Sequence, residues 1–389
     1  MHTTNLLPWL ITLLPAIALG ANPTNGPGHS VTYNIEAELP TFSERISADL
    51  RYPLSFVDGQ FDDFAAWKSR ARQRIVERML KPPPAAPFDA KVLAKQDNGT
   101  YVTRRIAFNI SGLNRIVGLL LVPKTAGPKP GMVILHDHGA EFRWGKEKVA
   151  RTDKATDPHL RAFVDRHYGG RYIADVLARR GYVCLTYDAF FWGDRSRKEG
   201  AKDAYHTQQS VGMNLMQLGM TFAGLIAHED IRAAEFLAAH PSVDANRIGC
   251  VGLSMGCYRS WHLAALSDRI KACIGVGWMC TNAVLMTPGN NQTRGHSAMS
   301  MLIPGIRLDL DYPDEASVAC PTPMLLYNGT KDGLFPVRGV EPAFDKIRNV
   351  YASQGVNDRL ETRLWPVPHE FNREMQEAAF DWLDRWLEK

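Results

Sequence analysis

Apolar positions along this chain recur with two different periods. Between residues 61 and 80, Phe64, Trp67, Ala71, Ile75 and Met79 fall at three- and four-residue spacing. That spacing predicts a helix with one buried stripe. "KPPPAAP" then stops it, because proline lacks the N–H that the next turn would need. The runs "YVTRRIAF" and "NRIVGLLLVP" predict an antiparallel strand pair. Beyond them the pattern changes. "GMVILHDHG", "GYVCLTYDA", "RIGCVGLS", "KACIGVGW" and "TPMLLYNGT" are short, nearly continuous apolar runs. Helical periods separate most of them. Ile173, Val176 and Leu177 mark one helix, closed by Gly181. Leu225, Ile231, Ala234, Phe236 and Leu237 mark another. "LETRLWPV" predicts a last strand, and Phe371, Met375, Ala378, Trp382, Leu383 and Trp386 share one side of a final helix. Continuous apolar strands alternating with helices predict an α/β fold. Its central sheet should be mainly parallel and covered on both faces. Ligands of such sheets bind beyond the carboxyl ends of the strands.

Composition narrows the partners. The 389 residues carry 45 basic and 41 acidic side chains, a formal net charge of +4. So even a balance leaves no nucleic-acid footprint. The densest basic stretch, "RWGKEKVAR" from Arg143 to Arg151, reads as a solvated face. A second reading puts it at the entrance to a site for an anionic or carbohydrate substrate. The N-terminus differs. Leu6 to Leu19 is apolar but short for a membrane span, and Ala18, Gly20 and Ala21 are small. This predicts a signal peptide over residues 1–21, hence export and no stable membrane association after cleavage. The n-region holds His2 but no Lys or Arg, which keeps an uncleaved anchor as the rival reading. Residues 22–85 then form an extension packed on a main domain of residues 86–389. Export permits disulfides. Cys184, Cys250 and Cys273 lie within apolar runs and read as buried thiols. Two of Cys257, Cys280 and Cys320, at or beyond strand ends, are expected to pair.

The chemistry lies at the predicted strand ends. "GCVGLSMGCYRS" sets Ser254 between Gly252 and Gly256, after a strand and before a helix. A sharp strand-to-helix turn forces strained dihedrals on the serine and leaves no room for side chains two residues either side. The following helix start would aim the Met255 N–H at a developing oxyanion. A serine hydroxyl needs a base. His369 in "WPVPHEF" follows the last strand. Asp332 in "LLYNGTKDGLFP" follows an earlier one and could orient that base. The Ala140 N–H, in "HDHGAEF", is the expected second oxyanion donor. Trp144, Trp192 and Trp278, with Phe190 and Phe191, lie at or past strand ends and could stack on sugar rings. Core packing is the competing reading for each. His136 and His138 are two apart and could hold a metal, but no recognisable ligand spacing joins them to Asp188 or Asp194. No metal and no cofactor are expected.

From about residue 86 onward the sequence resembles the α/β-hydrolase superfamily, in its dienelactone-hydrolase-related, acetyl xylan esterase-like branch. The stretches "HDHGAEFRWGKEK", "YDAFFWGDR", "GCVGLSMGCYRSWHLAAL", "GWMCT", "LLYNGTKDGLFP" and "VPHEFNREMQEAAFDWLDRWL" carry the resemblance. It implies an α/β-hydrolase fold, with Ser254 as nucleophile, His369 as base, Asp332 as acid, and oxyanion donors at Met255 and near Ala140. The expected activity is hydrolysis of carbohydrate-linked esters, on a small molecule or a polysaccharide. Glucuronoyl-type, feruloyl-type and, less well, peptidase readings compete with it. A non-catalytic carbohydrate-binding protein on the same scaffold is the reading from another class. Dienelactone hydrolases proper use cysteine as nucleophile, so serine here lowers the expectation of that activity. Relatives often carry glycine where this chain has Cys257.

Overall fold

The computed structural model describes residues 46–59, 61–196, 204–287 and 299–388. The expected signal peptide lies outside the described residues. The helix α1 (Phe64–Arg78) matches the predicted stripe. Asp63 caps it by accepting the Ala65 and Ala66 N–H groups, and Trp67, Ala71 and Ile75 are buried. The strands β1 (Lys91–Asp97), β2 (Tyr101–Asn109), β3 (Arg115–Pro123) and β4 (Lys129–Leu135) follow. Two helices, α2 (Pro158–Tyr168) and α3 (Ile173–Arg179), lead to β5 (Val183–Tyr187). Then come α4 (Ala204–Gln217), α5 (Phe222–Ala238), β6 (Val243–Leu253), α6 (Met255–Leu266) and β7 (Ile270–Val276). The short helices α7 (Asn282–Leu285) and α8 (Tyr312–Ser317) precede β8 (Met324–Gly329), α9 (Val337–Ser353), β9 (Leu360–Trp365) and α10 (Arg373–Leu387).

These strands form one sheet in the order β1-β2-β3-β5-β4-β6-β7-β8-β9. The first four in that order pair antiparallel, as "YVTRRIAF" and "NRIVGLLLVP" predicted, and β5 to β9 pair parallel. The parallel strands β4 and β8 are apolar and buried along nearly their whole length. Such strands must be covered on both faces. One face packs α1, α5, α6 and α9 through Trp67, Ile75, Phe236, Trp261 and Phe344. The other packs α2, α3 and α10 through Leu160, Tyr168, Leu177, Phe380 and Leu383. The register pairs Leu135 with Gly252, Val276 with Tyr327, and Gly329 with Trp365. The carboxyl ends of β4, β6, β7, β8 and β9 therefore finish level, and the loops that leave them meet on one rim.

β1, α2, α4, α7 and α8 went unread in the sequence. β1 is exposed along its whole length, so it has no apolar pattern. α2 did carry end signals. Asp157 caps it, Pro158 opens it and Gly169 closes it in the left-handed region at φ 61°.

Candidate active site

Ser254 is the residue between β6 and α6. Its backbone has φ 57° and ψ −122°, a region costly for any residue with a Cβ. The Ser254 N–H donates to the Val276 oxygen at 2.8 Å, which fixes the turn against β7. The flanking glycines are sterically required. A Cβ at 252 would lie 2.3 Å from the Gly256 carbonyl carbon, and one at 256 would lie 2.1 Å from the Leu135 oxygen. Strand and helix approach too closely for any side chain. Met255 is the first residue of α6, so its N–H belongs to the helix end that has no partner within the helix.

Asp332 and His369 arrive from β8 and β9. His369 Nδ1 stands 2.6 Å from Asp332 Oδ2, and the Asp332 side chain is fully buried while that of His369 keeps 19% exposure. Asp332 Oδ1 accepts the Leu334 N–H at 2.8 Å, which anchors the carboxylate from its other oxygen. Phe335 stacks against the imidazole with centroids 5.9 Å apart. The ring also meets Gly277, at φ 71°, where a Cβ would lie 3.2 Å from His369 Cε1. Val276 thus holds Ser254, and Gly277 abuts His369. The serine and the histidine flank one end of β7, with the aspartate behind the histidine. All three sequence-predicted residues lie on the same rim.

Other expectations are corrected. Ala140, at φ 54°, donates its N–H to His138 Nδ1 at 3.1 Å, so that N–H is engaged within its own loop. Trp144, Trp192 and Trp278 are all buried and present no ring face to solvent. Trp192 packs on His138 and Phe142 and donates Nε1–H to the His138 oxygen at 3.2 Å. Trp278 packs among Tyr258, Tyr312 and Phe335. Apolar aromatic surface at a strand end is used here to seat the rim loops. The expected disulfide is also absent: all six cysteines are free and buried. Cys257 turns its thiol to the Trp278 oxygen, and Cys280 packs against Gly339 of α9. Burial pushes the thiols of Cys280 and Cys320 up to about 12.

His136 and His138 form no metal pair. His136 Nε2 accepts the Ala189 N–H at 3.0 Å, and Nδ1 meets the Asp137 oxygen at 2.8 Å. Both ring nitrogens are therefore committed to backbone. Burial, with Arg259 nearby, holds this imidazole well below its usual pKa, so it is neutral. Among the described residues no group of three or more His, Cys, Asp or Glu is arranged to hold a metal ion.

The middle of the stretch read as a solvated face is instead interior, with only Arg143 and Arg151 exposed at its ends. Lys146, Glu147 and Lys148 are all buried. Lys146 Nζ lies 2.5 Å from Asp188 Oδ2, 2.8 Å from Asp194 Oδ2 and 3.2 Å from Glu147 Oε1. The Lys146 and Asp194 N–H groups also donate to Asp188. Burial opposes the Lys146 charge, but Asp188 and Glu147 outweigh it and raise the ammonium above its ordinary range. Nearby, Arg195 pairs with Glu229 and Arg259 with Asp230, at 2.6 and 2.7 Å. These ion pairs join the loops after β4 and β5 to α5 and α6.

A family model described as the abhydrolase family matches residues 45–379. The chain belongs to this family. It is 23% identical over 322 residues to a Bacillus subtilis protein named "Putative hydrolase YtaP", an alignment that covers 82% of this chain and all of that one. Among solved structures it resembles a Bacteroides fragilis protein titled as a "putative acetyl xylan esterase", with TM-score 0.69 and 18% identity. That match covers 88% of this chain and 94% of the other. A glucuronoyl esterase from Solibacter usitatus superposes with TM-score 0.60 at 14% identity, covering 87% of this chain and 98% of the other. At such identities the likeness is one of fold, and it fits the sheet order and the mainly parallel core described above.

Proposed function

We propose that the protein is a serine esterase acting on carbohydrate-linked carboxylic esters. The observation that carries this reading is the strained Ser254 turn on the same rim as the His369–Asp332 pair. The names of the structural neighbours, acetyl xylan and glucuronoyl esterases, support the substrate class. In the proposed reaction Ser254 Oγ attacks the ester carbonyl while His369 Nε2 takes its proton. Asp332 holds the Nδ1–H and stabilises the imidazolium. The Met255 N–H, at the positive end of α6, stabilises the oxyanion. His369 returns the proton to the leaving sugar oxygen, and an acyl-enzyme remains. Water, deprotonated by His369, then releases the acid and restores the serine.

The test is a panel of acetylated, feruloylated and methyl-glucuronoyl carbohydrates offered to the wild type and to Ser254→Ala. The wild type should turn over acetyl esters best, and the variant should lose about 10⁴-fold or more in kcat with its fold intact. Near-wild-type turnover by Ser254→Ala would overturn the mechanism. Turnover confined to methyl-glucuronoyl or feruloyl esters would keep it and change the substrate.

A further inference from the structure

The loop that leaves β4 has its carbonyls held from outside the loop. The His136 oxygen faces Arg259 Nη1 at 3.4 Å. The Asp137 oxygen accepts from Lys148 Nζ at 3.2 Å, and the His138 oxygen accepts from the same ammonium at 3.0 Å and from Trp192 Nε1 at 3.2 Å. Lys148 is fully buried and also pairs with Asp137 Oδ2 at 3.2 Å. Tyr168 of α2 donates to the other carboxylate oxygen at 2.5 Å. An ammonium removed from water and set on two adjacent carbonyls is expensive to build. Ordinary loop packing would be served by a neutral side chain.

The consequence for the loop follows from peptide geometry. In a trans peptide the C=O of one residue and the N–H of the next point in opposite directions. With the Asp137 and His138 carbonyls turned to Lys148, the His138 and Gly139 N–H groups point away from it. The loop starts beside the nucleophile, because Leu135 pairs with Gly252 and its oxygen presses on Gly256. Gly139, at φ 62°, has no room for a side chain: a Cβ there would lie 2.3 Å from Asp137 Oδ2.

We propose that Lys148 is a positioning residue for the oxyanion site. By gripping two successive carbonyls it turns the His138 and Gly139 N–H groups toward the oxygen that develops at Ser254, opposite the Met255 N–H. The proposal rests on the serine-esterase reading. It replaces the Ala140 N–H, which is engaged by His138, with donors one and two residues earlier.

The test is the double variant Lys148→Met with Asp137→Asn, which removes the ammonium without leaving a buried carboxylate alone. Its kcat should fall about 10²-fold, the loss typical of a misplaced oxyanion donor, with KM within about threefold of wild type. Labelling of Ser254 by a fluorophosphonate, which passes through a similar oxyanion, should slow in parallel. Lys148→Gln, which can still donate to one carbonyl, should fall between the two and serves where the double variant does not fold. Tyr168→Phe loosens Asp137 but leaves both carbonyls held, so its kcat should stay within about threefold. The proposal is overturned by a kcat in Lys148→Gln and the double variant equal to wild type. It is equally overturned by a loss in KM alone, or by a kcat loss that Tyr168→Phe reproduces. A wild type that resists labelling while Ser254→Ala stays active sinks the esterase reading itself, a result distinct from these.

Discussion

Two walls of the same rim are built from different materials. Around Ser254, His369 and Asp332 the structure relies on backbone geometry: a strained turn, two glycines pressed against backbone atoms, and a single histidine–carboxylate contact. Opposite it, the loops after β4 and β5 are held by buried ions. Lys146, Lys148, Asp137, Asp188, Arg195 and Arg259 each find a counter-charge inside the protein. Close backbone packing fixes position without charge and leaves the His369 side chain 19% exposed. Buried ion pairs fix position through mutual dependence. Removing one partner strands the other in a low-dielectric interior, where it costs several kcal/mol. The first wall is suited to chemistry and the second to holding loops rigid.

The comparison separates cleanly if each wall is broken alone. His369→Ala should lower kcat about 10⁴-fold or more, because it removes the proposed base from a proposed unit whose members act together. It should leave the melting temperature within a few degrees, since the ring is partly exposed and Asp332, its partner at 2.6 Å, keeps the Leu334 N–H as a donor. Lys146→Met should do the reverse. It strands Asp188, which lies fully buried beside Gly145 and Gly193, and should cost about 3–5 kcal/mol of stability. Denaturant unfolding of the two variants beside the wild type checks both. If His369→Ala unfolds as easily as Lys146→Met, the two walls are not different in kind.

The same contrast explains what could be read from the sequence. The serine turn is local. Its strand, glycines and helix fall within twelve residues, and the strain has one steric cause. Asp332 and His369 were legible because each directly follows an apolar run, and the parallel register brings those ends level. The ion wall was not legible. Lys146 and Lys148 sit in a "KEK" that looks solvated, and the Lys146 counter-ions Asp188 and Asp194 lie 42 and 48 residues away. No short-range pattern marks such a pair. The tryptophans misled for a related reason. A large apolar ring near a strand end reads alike whether it faces a sugar or the underside of a loop. β1 escaped notice because an edge strand exposed on both faces carries no period.

A smaller effect sharpens the comparison, because the Ser254 side buries carboxylates too, Asp311 among them. Asp311 precedes α8 and accepts the Tyr312 and Asn282 N–H groups at 2.7 and 2.9 Å, which ties α8 to the loop after β7. Its cation, Arg307, is distant at 3.9 Å, and Asp314 lies close by. Burial, opposed by Arg307 and helped by Asp314, pushes Asp311 from the ordinary 3.8 up to about 6. A carboxyl whose folded pKa is raised binds its proton more tightly in the fold than in the open chain. Its stabilising contribution is therefore full below about pH 3.8 and is lost as pH rises through about 6. The shift corresponds to about 2–3 kcal/mol. Asp311→Asn keeps an oxygen for both N–H groups and cannot ionise, so it should escape that loss. Relative to wild type, the variant should gain about 2–3 kcal/mol between pH 4 and pH 7.5 in urea unfolding. Kinetics at pH 7.5 should be nearly unchanged, since Asp311 touches none of the three rim residues. Parallel stability profiles for the two proteins would mean that Arg307 balances Asp311 fully despite its distance. The Ser254 side would then hold its ions as tightly as the opposite wall does.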